Sequence, residues 1–381
     1  MLFMKKKLII KTITCHNVYN YGATLQAYAL QTYLQSLGNE VEIIDYAPRY
    51  HSWSCWNIPE NSTVYRLASK NIFMHFLYAC HRWIKHKRET NLIREKKFDE
   101  FDKKYLRLTT KRYINYEQLK QDPPKADIYI AGSDQIWNPV GGTGLDPAFY
   151  LNFGEAGIHR ISYAASFGVS ILNEHQKDII KHYLSGMDNI SVRESTGLNI
   201  LKSLNINSGV QVLDPVFLLD KATWLQFIGG TKKVVEGNYV LIYDFFQDDP
   251  NIQKLAFELK KMTGFNIVSV NNSGKLPYAD VNISDASPLE FLSLINNANV
   301  VISNSFHATA FSIILNKEFY VYPVIRHKNQ SRMIDLLNQF HLSDRYNTSK
   351  IQSNINWEKI NDLYMVKRQI GRDFLLNAIR L

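Results

Sequence analysis

The sequence predicts an α/β protein built from two doubly wound domains that face each other across a cleft. Three observations predict it. Short Val- and Ile-rich runs alternate with helical stretches near both ends of the chain, the pattern of βαβ units in a parallel sheet. Several of these runs stop in polar turns that lead straight into a helix. Finally, 381 residues exceed what one hydrophobic core usually organises.

In chain order, Lys7 to Thr14 (KLIIKTIT) predicts the first strand and Cys15 to Gly22 a polar, aromatic turn. Ala23 to Leu37 carries apolar residues at helical spacing and ends at Gly38; Val41 to Tyr46 is the next strand. These elements form a βαβ unit with a right-handed crossover. The helix start at Gly22 presents backbone N–H groups, but the three-glycine dinucleotide pattern is missing. From about residue 50 to 125 the alternation breaks, and the text reads as a basic helical insertion. Within it, residues 71–97 could lie on an anionic membrane or grip an acidic partner; the plainer alternative docks the apolar face on its own domain.

The rhythm resumes with a strand at Asp127 to Ala131 and the loop Gly132 to Pro139, which crowds polar groups around Trp137. Strands at Arg160 to Ser166, Ile190 to Val192 and Val210 to Leu213 follow, with helices near Asn173 to Ser185 and Gly197 to Leu204. Arg193 stands where a strand becomes a helix, where a planar guanidinium suits carboxylate or phosphate; a structural ion pair to Glu194 or Asp214 is the alternative. A composition shift over Asp220 to Gly237 marks a linker.

A second α/β run begins at Tyr239. Its strands are expected at Tyr239 to Phe245, Asn266 to Val270, Val300 to Ile302 and Glu318 to Val324. Helices are expected at Asn251 to Thr263, Leu289 to Ala298, Asn329 to Phe340 and Trp357 to Ile379, with another beginning near His307. Ser303-Asn304-Ser305 ends one strand and feeds that helix, so backbone N–H groups and the positive end of a dipole face an anion site with His307 at its mouth. The expected organisation is a Rossmann-like domain at 1–225, a second at 226–355, and a final helix at 356–381 packing back on the first. That is a GT-B-like arrangement.

Charge and composition narrow the function. A net charge of +9 favours anionic partners, but the positive residues are spread out and no nucleic-acid reader module is present. The eleven histidines show no metal-ligand spacing such as HExxH, so no metal is expected. Cys15, Cys55 and Cys80 form no CxxC pair, which fits a reducing cytoplasm, with the inner membrane face as a place of association. No run of about 18 apolar residues predicts a membrane span.

Six segments occur in order: HNVYNYGATLQAYALQTYL with VEIIDY, YIAGSDQIWNP, RISYAASFG, ISVREST, VLDPVFLL and NSFHATAFSIILNKEF. Together, from about Thr12 to Tyr346, they resemble the polysaccharide pyruvyl transferase family, and within it the subgroup with NYGA and SFH motifs. The resemblance implies transfer of the pyruvate unit of phosphoenolpyruvate onto two sugar hydroxyls, forming a cyclic ketal in a surface polysaccharide. It implies no cofactor besides phosphoenolpyruvate as co-substrate, and a saccharide acceptor, free or lipid-linked.

The same resemblance makes His307 the general acid, with Arg193, Asn304, Ser305, Phe306 and Arg332 on the donor side. Asp134 is the candidate base, and Asn17, Asn20, Tyr21, Gly22, Gln135 and Trp137 suit the acceptor sugar. Ser305 departs from the Arg-Leu-His arrangement of many pyruvyl transferases, so Arg332, Lys328 or Arg326 would have to supply the missing cation. Two other readings stay open: a glycosyltransferase using a nucleotide sugar, and a non-catalytic component of a polysaccharide assembly complex.

Overall fold

The computed structural model describes residues 7–48, 91–271, 274–325 and 330–380, together with Phe76, Tyr78 and Cys80. The first sheet is built from β1 (Ile9–Ile13), α1 (Tyr21–Ser36), β2 (Glu40–Tyr46), α2 (Leu92–Tyr105), β3 (Leu108–Tyr113), α3 (Tyr116–Gln121), β4 (Ile128–Ala131), β5 (His159–Ala165), α4 (Glu174–Leu184), β6 (Asn189–Val192), α5 (Ser195–Ser203) and β7 (Val210–Gln211). Its strand order is β3-β2-β1-β4-β5-β6-β7, and every pair is parallel. Strands such as β4 are buried at every position, which is why they read as unbroken apolar runs.

The second half contains α6 (Lys221–Ile228), β8 (Tyr239–Tyr243), α7 (Pro250–Thr263), β9 (Asn266–Val270), β10 (Val281–Ile283), α8 (Pro288–Asn297), β11 (Val300–Ser303), α9 (Phe306–Ile314), β12 (Glu318–Val321), α10 (Ser331–Gln339) and α11 (Trp357–Ala378). Its sheet runs β10-β9-β8-β11-β12, again all parallel. The chain is thus two Rossmann-like, doubly wound units in a GT-B-like arrangement. Each strand order reverses once, between β1 and β4 and between β8 and β11, and open α/β sheets bind ligands at the carboxyl ends of strands at such points.

Two expectations change. The basic insertion is not helical throughout, because β3 pairs with β2 as an edge strand. Its sequence LTTKRY exposes Glu-free but polar, charged positions in the middle, as an edge strand tolerates, so no apolar run announces it. The expected linker holds α6, whose Trp224 is fully buried and donates its indole N–H to the Val216 carbonyl at 3.0 Å. The proposed membrane-facing stretch lies outside the described residues up to residue 90, Phe76, Tyr78 and Cys80 apart. Among the described residues, no helix is long and apolar enough to cross a membrane.

One apolar core joins the two halves, with Tyr21, Leu25 and Phe98 of the first packed among Phe291, Phe311 and Phe306 of the second. Tyr21 is its keystone. Its ring stacks on Phe291 at 4.2 Å and its hydroxyl donates to the Ala286 carbonyl at 2.9 Å. Polar ties flank it: Lys97 reaches Glu290 at 3.0 Å and Asp285 at 3.2 Å, and Asn91 Nδ2 donates to the Ser284 carbonyl. Helix α11 lies on the stretch after β7, where Tyr364 donates to the Phe217 and Leu219 carbonyls and Arg368 and Arg372 donate to that of Leu218.

Candidate active site

The candidate residues come from the carboxyl ends of strands in both sheets. From the first, β4 leads to Ser133 and Asp134, β6 to Arg193 and Glu194, and the segment after β7 to Asp214. From the second, β11 ends in Asn304, and Ser305 caps α9, accepting from the Ala308 N–H at 3.5 Å. This puts His307 in the first turn of α9, against the first sheet.

Asp214 is the hub. It is fully buried, its Oδ2 accepts from Arg193 Nη1 at 2.8 Å and from Ser133 Oγ at 3.0 Å, and His307 Nε2 lies 3.5 Å from the same oxygen. Burial opposes its charge, but the His307 and Arg193 cations outweigh that and hold its carboxyl well below the usual carboxylate range. His307 Nε2 has no hydrogen-bond partner. The other face of its ring meets Gly22, which opens α1: a Cβ built there would lie 1.9 Å from Nδ1. The NYGA and SFH segments therefore touch.

Arg193 is 3% exposed and only one of its nitrogens, Nη1, is hydrogen-bonded; Nε and Nη2 have no such partner. Glu194 stands 3.7 Å from Nε and Asp134 3.8 Å from Nη2, and the guanidinium lies 4.3 Å over the Phe306 ring. Burial opposes its charge, yet Asp214, Asp134 and Glu194 together raise its pKa. The alternative reading, a structural ion pair, is thus half of what is found: one nitrogen is committed and two are not. Arg332 lines the same cavity from α10, and burial, then the charge of Arg193, pull its pKa down. That cavity, bounded by Arg193, Glu194, Asp214, Phe306 and Arg332, holds about 10 Å³, about the room of a single water. A larger cavity of about 520 Å³ lies between Phe340, Arg345 and Lys359 and contains none of these residues.

The remaining candidates divide. Asp134 holds a left-handed φ of 73°, which Asp tolerates; its side chain is 21% exposed to solvent and its Oδ1 lies 3.8 Å from Arg193 Nη2. Asn20 is the N-cap of α1 and accepts from Gly22 and Ala23, while Asn17 is exposed. Gln135 Oε1 accepts from Asn138 Nδ2 at 2.7 Å. Asn304 is a tie between strand ends, accepting from the Phe245 N–H and donating to Asp244.

Two acceptor expectations are corrected. Trp137 is fully buried, stacked on Tyr150 at 5.3 Å with its indole N–H given to the Phe149 carbonyl, so it offers no face to a sugar. Tyr21 is equally buried in the contact between the two halves. Arg326 and Lys328 lie outside the described residues. Sequence reasoning named Asp214 only as a partner for Arg193 and passed over Ser133. The signal for Asp214 was its place directly after a strand in VLDPVFLL; for Ser133 no local signal exists.

A family model for polysaccharide pyruvyl transferase matches residues 20–324. The chain belongs to this family. The match spans all the residues of the Asp214 cluster except Arg332. No curated protein matches this chain by sequence. Among solved structures, it is similar to a UDP-GlcNAc 2-epimerase from Methanocaldococcus jannaschii (14% identity, 95% of this chain and 93% of that one, TM-score 0.48). It is also similar to a UDP-GlcNAc 2-epimerase from Neisseria meningitidis bound to UDP-GlcNAc (10% identity, 97% and 94%, TM-score 0.48) and to a glycosyltransferase from Rickettsia africae (12%, 98% and 94%, TM-score 0.47).

Proposed function

We propose that this family member transfers the pyruvate unit of phosphoenolpyruvate onto two hydroxyls of a sugar in a polysaccharide or its precursor. The meeting of Arg193 and His307 on the buried carboxylate of Asp214 carries this reading. Phosphoenolpyruvate brings a carboxylate and a phosphate. Arg193, with two nitrogens lacking hydrogen-bond partners, and Arg332, which lines the same cavity, are the two cations to receive them. Arg332 then supplies the charge that Ser305 does not, since the Ser305 hydroxyl is engaged as a helix cap.

The first sugar hydroxyl adds to the central carbon of the enol while the methylene carbon takes a proton. His307, 3.5 Å from the Asp214 carboxylate, delivers that proton, and Asp134 accepts the one leaving the hydroxyl. Phosphate then departs from the central carbon, its charge met by the two guanidiniums, and the second hydroxyl attacks the same carbon to close the ketal, giving its proton to the His307 imidazole that lost one in the first step. The cavity at the cluster is too small for the donor, so the reading requires the two halves to part for substrate entry.

Phosphate release is the test. Purified protein, phosphoenolpyruvate and saccharide acceptors should yield inorganic phosphate and an acid-labile ketal, with both abolished in His307→Ala. Consumption of a nucleotide sugar without phosphate release from phosphoenolpyruvate would replace the reading by glycosyl transfer. Unfolding curves give a cheaper discrimination, since phosphoenolpyruvate and not UDP or CMP should raise the melting temperature.

A further inference from the structure

The second sheet has a switch point of its own, between β8 and β11, and the loop leaving β8 there is residues 244–249, sequence DFFQDD. Two of its carboxylates are buried with one oxygen each left over. Asp244 is 3% exposed; its Oδ1 accepts from Asn304 Nδ2 at 2.7 Å and from the Phe246 N–H at 3.2 Å, whereas Oδ2 has no hydrogen-bond partner. Asp249 is 5% exposed; its Oδ1 caps α7 through the Asn251 N–H at 2.9 Å, and its Oδ2 is likewise without a partner. Neither forms an ion pair among the described residues. Both also raise the pKa of the Tyr278 hydroxyl, which burial raises first.

Between the two carboxylates the loop turns aromatic rings outward, Phe245 at 41% and Phe246 at 38% exposure. A carboxylate oxygen taken out of water calls for a hydrogen-bond donor or a cation. A cation is the poorer match, because no group of three His, Cys, Asp or Glu side chains among the described residues could hold a metal. Hydroxyl donors beside a flat apolar ring are the chemistry of a sugar, whose ring offers both faces at once. The loop is also tied to the catalytic turn, since Asn304 Oδ1 accepts from the Phe245 N–H at 3.1 Å three residues before His307.

We propose that loop 244–249 is a sugar-binding subsite, in which the free oxygens of Asp244 and Asp249 accept from ring hydroxyls and Phe245 lies against the sugar's apolar face. That this sugar is the acceptor rests on the pyruvyl transfer reading; that a sugar binds does not. Glycan and nucleotide ribose share the hydroxyl chemistry, and the test separates them.

Saturation-transfer NMR on the full chain is run with methyl β-galactopyranoside, methyl β-glucopyranoside and UMP as probes. Signal transfer to a glycoside is expected, with affinity at least about tenfold weaker in the Asp244→Asn/Asp249→Asn double variant and in Phe245→Ala. Asparagine is chosen because each Oδ1 already serves as acceptor, so the amide nitrogen takes the place of the free oxygen. Thermal unfolding checks the double variant, and the exposed Phe245 keeps the test standing if that variant does not fold. Transfer to UMP ribose alone, lost in the same variants, upholds the subsite and overturns its acceptor role. No transfer with any probe, or transfer unchanged in folded variants, overturns the subsite. Sugar binding without phosphate release from phosphoenolpyruvate would sink the pyruvyl reading and leave the subsite intact.

Discussion

The imidazole of His307 rests on the backbone of Gly22, close enough that a methyl group on Gly22 would sit 1.9 Å from Nδ1 and 2.3 Å from Cγ. The ring is thereby clamped between α1 of the first half and Asp214 behind it. Gly22→Ala should push the ring off its place, and a misplacement of this size costs on the order of 10²-fold in kcat. Phosphate-release kinetics measure it. An unchanged kcat in a folded Gly22→Ala protein would show that His307 does not act from this position.

Asp214 should make stability depend on acid. Its carboxyl is held low by His307 and Arg193 against the opposing effect of burial, so the unfolded chain takes up a proton there before the folded one does. The stabilisation is full above the unfolded pKa of about 4 and is lost as pH falls through the lower folded value. Asp214→Asn should be less stable by about 3 kcal/mol near neutral pH, because it leaves Arg193 buried without its partner charge. Its denaturant midpoint should then fall less steeply than the wild type's below about pH 4.

Arg193→Lys separates charge from shape. The ammonium can still pair with Asp214, but the flat contact on Phe306 and the two unbonded nitrogens disappear. The KM for phosphoenolpyruvate should rise by about tenfold or more while the melting temperature changes little. Steady-state kinetics and calorimetry on one preparation give both numbers.

Trp137→Phe should act on stability and leave the acceptor KM alone. The indole N–H is bonded to the Phe149 carbonyl in a fully buried place, so its removal strands that oxygen at a cost of about 1–3 kcal/mol. A raised acceptor KM with unchanged stability would restore Trp137 as a sugar platform.

Asp102 on α2 should do the reverse of Asp214. Burial first, and Asp99 second, raise its pKa to about 7, and its Oδ1 has no hydrogen-bond partner. Folding favours the protonated form, so this contribution is present at low pH and lost as pH rises from about 4 through about 7. Asp102→Asn should therefore raise the melting temperature by about 1–3 °C near pH 8 and add nothing near pH 4.

The sequence by itself determined the alternation of strand and helix, the two sheets, the strand-to-helix turns that carry Gly22, Arg193 and His307, and the loop after a strand that carries Asp134. These follow from periodicity and capping, which act over a few neighbouring residues. Edge strand β3 escaped because an edge needs no apolar run, and α6 because a short helix can be anchored by one buried tryptophan. Only the tertiary structure decided which side chains face one another. Trp137 and Tyr21 look like sugar contacts in a polar turn, yet both are buried by partners distant in the chain, Tyr150 and Phe291. Arg193 read equally well as an anion grip or an ion pair until Asp214 took one nitrogen and left two. The physical reason is that burial and pairing depend on which surfaces packing brings within a few ångströms, and local residue pattern does not encode that distance.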